Sequence, residues 1–183
     1  MSRIATIPTI EAAPAAAQPL LQAAKKALGS APNLFRVVAN SPAALEGYFG
    51  LNAALGKDSL GAKTRERIAI AIAEVNGCGY CLSAHAYFGK NVAKIDDAEI
   101  AANRNGASND PKADAAVRFA VEVARTRGHV SDQQVAAMKG AGFDDAAVVE
   151  IVAHVALNTL TNYINEVART EIDFPVLPLS SAA

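Results

Sequence analysis

Tryptophan is absent, tyrosine and phenylalanine supply only 5% of the residues, and strands are hard to find: β-branched residues rarely alternate with polar ones over a strand's length. Alanine dominates instead, and the periodicity is helical almost throughout. An excess of charge is also missing. With 17 basic against 18 acidic side chains, the net charge of −1 provides no concentrated positive field for nucleic acid or an anionic membrane, so neither partner is expected. No basic segment followed by an unbroken apolar stretch opens the chain, which argues for a cytoplasmic protein without a secretory signal. No segment reads as a membrane span, since even "IAIAIAEV" is bounded by Arg67 and Glu74. Cysteines number only two, Cys78 and Cys81, too close in sequence to constrain an unfolded chain much, and a reducing compartment does not preserve a passive clip.

What is present is enough apolar material, 51% of 183 residues, for one domain with its own core. Residues 1–18, with Pro8 and Pro14, read as an extended arm that leads into a helix over about 19–29, closed by Gly29. A short helix follows Pro32. Ser41 before Pro42 is a cap with proline at the first helical position, and that helix runs to Gly56. "KTRERIAIAIAEVN", residues 63–76, is apolar on nearly every side, the mark of a buried helix. Gly77 ends it, and another helix starts at or beside Cys78. Further helices are expected from Asp96 to Asn103, Asp110 to about Arg127, Ser131 to about Gly140, and Asp144 to about Thr170, with an extended, proline-broken tail over 171–183. No compositional shift divides two domains, so the chain reads as a single all-α domain.

The chemistry concentrates in CGYCLSAH, residues 78–85. A cysteine at a helix start meets unpaired backbone N–H groups and the positive end of the helix dipole, both of which favour thiolate over thiol. His85 follows Cys81 by four residues, so on a helix the two stack on one face. An imidazole of ordinary pKa, about 6.5, can take the thiol proton or return one to a leaving oxygen. A CxxC pair can also close on itself, which condenses a sulfenic acid before over-oxidation. The residues alone leave the nucleophile open. The helix-start position points to Cys78, as in thioredoxin-like sites, whereas the histidine points to Cys81. Glu66 shares a helical face with Ile70 and Ala73, and a carboxylate against an apolar wall is suited to proton transfer; read by itself, "TRER" is a solvated first turn.

Glu66, eleven intervening residues, and then CxxCxxxH resembles the alkylhydroperoxidase D-like proteins of the carboxymuconolactone decarboxylase superfamily, in particular the peroxidase-related branch. The core of the resemblance spans about 42–127, and the ending "ALNTLTNYINEVARTEIDFP" is similar to that branch as well. It implies an AhpD-like helical bundle and a thiol-dependent peroxidase of antioxidant defence. By that resemblance Cys81 attacks the hydroperoxide, Cys78 resolves it as a disulfide, and His85 and Glu66 relay protons. It further implies an external dithiol reductant, a homo-oligomer (dimer, trimer or hexamer), and no cofactor or metal. Tyr80 departs from the pattern, since the family's best-characterised members carry histidine there; it is read as packing or as a hydroxyl near the thiols.

The rival readings are a lactone decarboxylase, whose relatives typically lack the cysteine pair, and a non-enzymatic redox sensor. A zinc site would need Cys78, Cys81, His85 and Glu66 together, with the carboxylate drawn from another helix, which structural zinc sites seldom use. His154, Asn158, Asn162 and Asn165 form a polar stripe on the last helix, read as a subunit contact or an internal hydrogen-bond network outside the active site. His129, after Gly128, reads as exposed.

Overall fold

A computed structural model describes residues 2–180; the last three residues of the expected tail lie outside the described residues. Among the described residues the chain forms helices and no strands: α1 (Gln18–Leu28), α2 (Asn33–Val38), α3 (Pro42–Leu55), α4 (Gly61–Val75), α5 (Gly79–Asn91), α6 (Asp97–Arg104), α7 (Pro111–Thr126), α8 (Asp132–Gly140) and α9 (Asp145–Ala168). The starts follow local capping chemistry. Ser41, Asp96, Asp110, Ser131 and Asp144 each accept a hydrogen bond from the backbone N–H three residues on, satisfying a donor that the helix cannot. Arg127 and Arg169 close α7 and α9 in the left-handed conformation, so α9 stops just short of Thr170.

α4 is the axis of the fold. Six consecutive residues from Ile68 to Ala73 are buried, and the helix packs on α5, α6, α7 and α9. Each fully buried isoleucine contributes about 1.5–3 kcal/mol of apolar transfer energy, which explains why this helix carries charge only near its ends. One side of α4 faces a core of Ala116, Val117, Ala120, Met138 and Ile151 from α7, α8 and α9. The other faces Leu21, Leu45, Cys78, Cys81 and Leu82 from α1, α3 and α5.

Two segments differ from the sequence reading. The N-terminal arm is not extended: residues 2–17 are bent and turned, with Ile7, Ala13 and Ala17 in the core and Arg36 hydrogen-bonded to the carbonyls of Ile7 and Pro8. Proline breaks helix there, and small apolar side chains supply the contact that holds the segment down. The other is α9, which is long and apolar enough to cross a membrane by length and composition. It packs instead against the inside of the bundle with a face that carries His154, Asn158, Asn162 and Asn165, all buried.

Candidate active site

The turn at Gly77 sets the site. Its φ of 67° lies in the left-handed region, which lets the chain reverse between α4 and α5 while the amide of Gly77 bonds the carbonyl of Glu74 and that of Cys78 the carbonyl of Ala73. Cys78 then stands as the N-cap of α5 in extended conformation, and its sulfur accepts from the backbone N–H of Cys81 at 3.3 Å. The cysteines are free thiols, both buried, one at the cap and one in the first turn. One turn on, His85 Nδ1 lies 2.9 Å from Glu66 Oε2, and both side chains keep about a quarter of their surface (27% and 25%) open. All four residues singled out for catalysis in the sequence come together here.

The sulfur of Cys81 also receives a hydrogen bond from α9: Asn165 Nδ2 donates to it at 3.1 Å. Asn162, one turn earlier, accepts from Asn76 Nδ2 at 2.8 Å, and its own amide favours the Cys81 thiolate although its Nδ2 makes no hydrogen bond of normal geometry. The polar stripe is an internal network as expected, but it belongs to the site rather than lying outside it. A buried amide amid apolar neighbours on α9 was the available signal; which element it faced could not be read along the chain.

The two thiols are driven apart. A hydrogen bond from Cys78 is the largest influence on Cys81; burial opposes ionisation, but the charge of His85 and the amides of Asn165 and Asn162 bring it down to about 7. Cys78, which gives that hydrogen bond and is buried beside the Cys81 charge, is pushed far up. His85 loses by burial but gains more from the charge and hydrogen bond of Glu66, and is raised above its ordinary value. Cys81 thus ionises first, beside an imidazole that favours its cationic form.

A pocket of about 270 Å³ opens onto these groups. Cys81, His85, Glu66 and Tyr48 line it, and Cys78 is not among its lining residues, so a reagent entering here meets Cys81. Tyr48, which the sequence reading did not select, has its phenol raised by burial and then by the charges of Cys81 and Glu66, so it stays a neutral hydrogen-bond donor. Elsewhere the wall carries Arg65 and His154, which share one buried carboxylate: Asp58 meets Arg65 Nη1 at 2.8 Å and His154 Nε2 at 2.5 Å. Tyr80 also lines the pocket, but its hydroxyl leads away from the thiols, accepting from Leu34 N at 3.1 Å and donating to Asp173 at 2.7 Å. Its ring meets Phe174 edge-on, so Tyr80 ties the C-terminal tail across the start of α5.

The sequence profile of the carboxymuconolactone decarboxylase family matches residues 42–126, the stretch that contains α3 to α7 and all four of these side chains. Over that stretch the chain is similar to the carboxymuconolactone decarboxylase family, and its fold is AhpD-like. Its fold is similar to the alkylhydroperoxidase AhpD core of an uncharacterized peroxidase-related protein from Ralstonia eutropha JMP134, at 25% identity and a TM-score of 0.84, covering 94% of this chain and 92% of that one. An uncharacterized peroxidase-related protein from Silicibacter sp. TM1040 shares the fold at 21% identity, with a TM-score of 0.77 over 86% of this chain and 85% of its own. So does the debrominase Bmp8, at 19% identity and a TM-score of 0.71 over 86% of each chain. No curated protein matched significantly. The fold is thus shared by a debrominase as well as by peroxidase-related proteins.

Proposed function

We propose that this protein is a cytoplasmic thiol-dependent peroxidase that reduces hydroperoxides through a Cys81–Cys78 dithiol cycle, working as a homo-oligomer. The observation that carries the reading is Cys81 itself, the pocket-lining thiol, with a pKa lowered to about 7 beside the His85–Glu66 pair. The thiolate attacks the outer peroxide oxygen; an S–O bond forms, the O–O bond breaks, sulfur is oxidised and the peroxide reduced. The departing alkoxide takes a proton from the imidazolium of His85, which Glu66 stabilises, and leaves as alcohol. Cys78 has remained a thiol because its pKa is raised. Its sulfur then attacks the sulfenic acid on Cys81, water leaves, and a disulfide closes within the first turn of α5. An external dithiol reopens it and is itself oxidised.

The test is sustained consumption of tert-butyl hydroperoxide with dithiothreitol as reductant. Many equivalents per chain are expected for the native protein and none above background for Cys81→Ser. Consumption that stops at one equivalent means a redox sensor. The debrominase neighbour, whose fold has also been solved with 2,3,4-tribromopyrrole bound, suggests a second arm. Bromide released from that compound without peroxide turnover would replace the peroxidase reading with reductive dehalogenation by the same thiols.

A further inference from the structure

Two buried polar atoms beside Cys81 have no hydrogen-bond partner among the described residues: Asn162 Nδ2 and Asn165 Oδ1. Elsewhere on α9 the buried side-chain polar atoms have partners. Asn158 donates to the carbonyl of His154, Thr161 donates to that of Asn158, and His154 meets Asp58. Folded proteins seldom leave such atoms unpaired, and each one that persists calls for an explanation, a catalytic or redox role among them. Here the orphans belong to the two amides that act on the nucleophilic sulfur, and they offer one donor and one acceptor.

We propose that Asn162 and Asn165 are positioning residues that form a neutral cradle for Cys81, holding its sulfur as thiolate and then holding the oxygen it gains. In the thiolate state Asn165 Nδ2 is the donor at 3.1 Å, and Asn76, from the end of α4, fixes the orientation of Asn162 by donating to its Oδ1 at 2.8 Å. After attack, the sulfenic acid brings one O–H and two lone pairs. The O–H donates to Asn165 Oδ1 and a lone pair accepts from Asn162 Nδ2, satisfying both orphans at once. Amides suit this task because they carry no charge: they favour the anion through their donors without neutralising it, and remain in place when the anion is gone. The thiolate half of the proposal needs no peroxide; the oxygen half rests on the peroxidase reading above.

The ionisable groups around the sulfur are Cys78, Tyr80 and His85 from α5, Glu66 from α4 and Tyr48 from α3, while Glu166 of α9 acts on Cys78. They are the same in every variant below except as stated. In a Cys78→Ser background, which leaves Cys81 as the lone thiol, thiolate ultraviolet absorbance is titrated against pH. With Asn165→Leu the midpoint should rise by about one pH unit, a tenfold loss of thiolate below the midpoint, and with Asn165→Asp by more. Asn103→Leu, which removes a buried amide of α6 bonded to Glu99 and to the carbonyl of Ala107 rather than to either cysteine, should leave the midpoint in place. An unchanged midpoint in folded Asn165 variants, or an equal rise in Asn103→Leu, overturns the thiolate half; should the Asn165 variants fail to fold, Asn162→Leu is held to the same criterion. For the oxygen half, dimedone trapping and mass spectrometry follow the sulfenic acid under excess hydroperoxide. Asn162→Leu should lose it to sulfinic acid several-fold faster, and loss at the parental rate overturns that half. Because the titration uses no peroxide, a failed peroxidase assay and a failed cradle are separate results.

Discussion

Two histidine–carboxylate pairs stand at the pocket, and they differ in burial and in partners. His85–Glu66 keeps about a quarter of each side chain exposed (27% and 25%) and stands one helical turn from Cys81. His154–Asp58 is nearly sealed, at 6% and 2%, and Arg65 shares its carboxylate. Arg65 also donates to the carbonyls of Leu55 and Gly56, so that cluster ties the end of α3 and the start of α4 to the middle of α9. A pair near water beside a thiol can exchange its proton. A sealed pair bound to a guanidinium is a strut, and its charges are costly to expose singly. On the function proposed above, the same two residue types serve as a relay in one place and a brace in the other, according to burial and the third group.

The largest effect should come from the sulfur the relay serves: Cys81→Ser is expected to abolish peroxide turnover, whereas Cys78→Ser should still form sulfenic acid once and then stall, as dimedone labelling would reveal. If Cys81→Ser forms sulfenic acid at the native rate, the nucleophile is Cys78 and the pairing with His85 is structural. Next, Glu66→Gln should lower turnover about 10²-fold, the scale of a lost general acid–base partner, while changing stability by less than about 1 kcal/mol in urea denaturation. The brace should behave the opposite way. Asp58→Ala leaves Arg65 and His154 without their carboxylate and should cost about 3 kcal/mol of stability, with most of the activity of the folded fraction kept. If Asp58→Ala is stable but inactive, the second pair is catalytic and the distinction drawn from burial fails.

The pH dependence sharpens the same contrast. A thiol whose pKa is lowered is thiolate above that value, so the alkylation rate of Cys81 by iodoacetamide should fall as pH drops through about 7 and level off above it. Glu66→Gln removes the charge that raises His85, weakens its cationic form, and should move that midpoint upward; Asp58→Ala should not. The smallest effect is expected at Tyr80→Phe, which loses the bonds to Leu34 N and Asp173 and should cost about 1 kcal/mol with turnover little changed. A large fall in turnover there would mean that the tail, through Tyr80, controls access to the cysteines.

Much of this was legible along the chain because its causes are local. Caps at Ser41, Asp96, Asp110, Ser131 and Asp144 fall where the sequence places them, since capping is settled within one turn. The spacing of Cys81 and His85 follows from helical periodicity alone. The uses of α9 were not legible: a buried asparagine on an apolar helix is compatible with a subunit contact, a packing network or a sulfur ligand, and nothing within the helix decides among them. Likewise the N-terminal arm reads as extended because its proline content breaks helix, while the contacts of Ile7, Ala13 and Ala17 involve residues far along the chain.

The sequence by itself determined the all-helical architecture, the buried α4, the turn at Gly77 and the cysteine pair at a helix start, because each depends on residues within a few positions of one another. Only the tertiary structure decided that Glu66 meets His85, that Asn165 reaches Cys81 across 84 positions, and that Tyr80 turns from the thiols toward Asp173. Those pairings depend on how α4, α5, α9 and the tail pack, and packing is set by the summed burial of many side chains rather than by any short stretch that could be read alone.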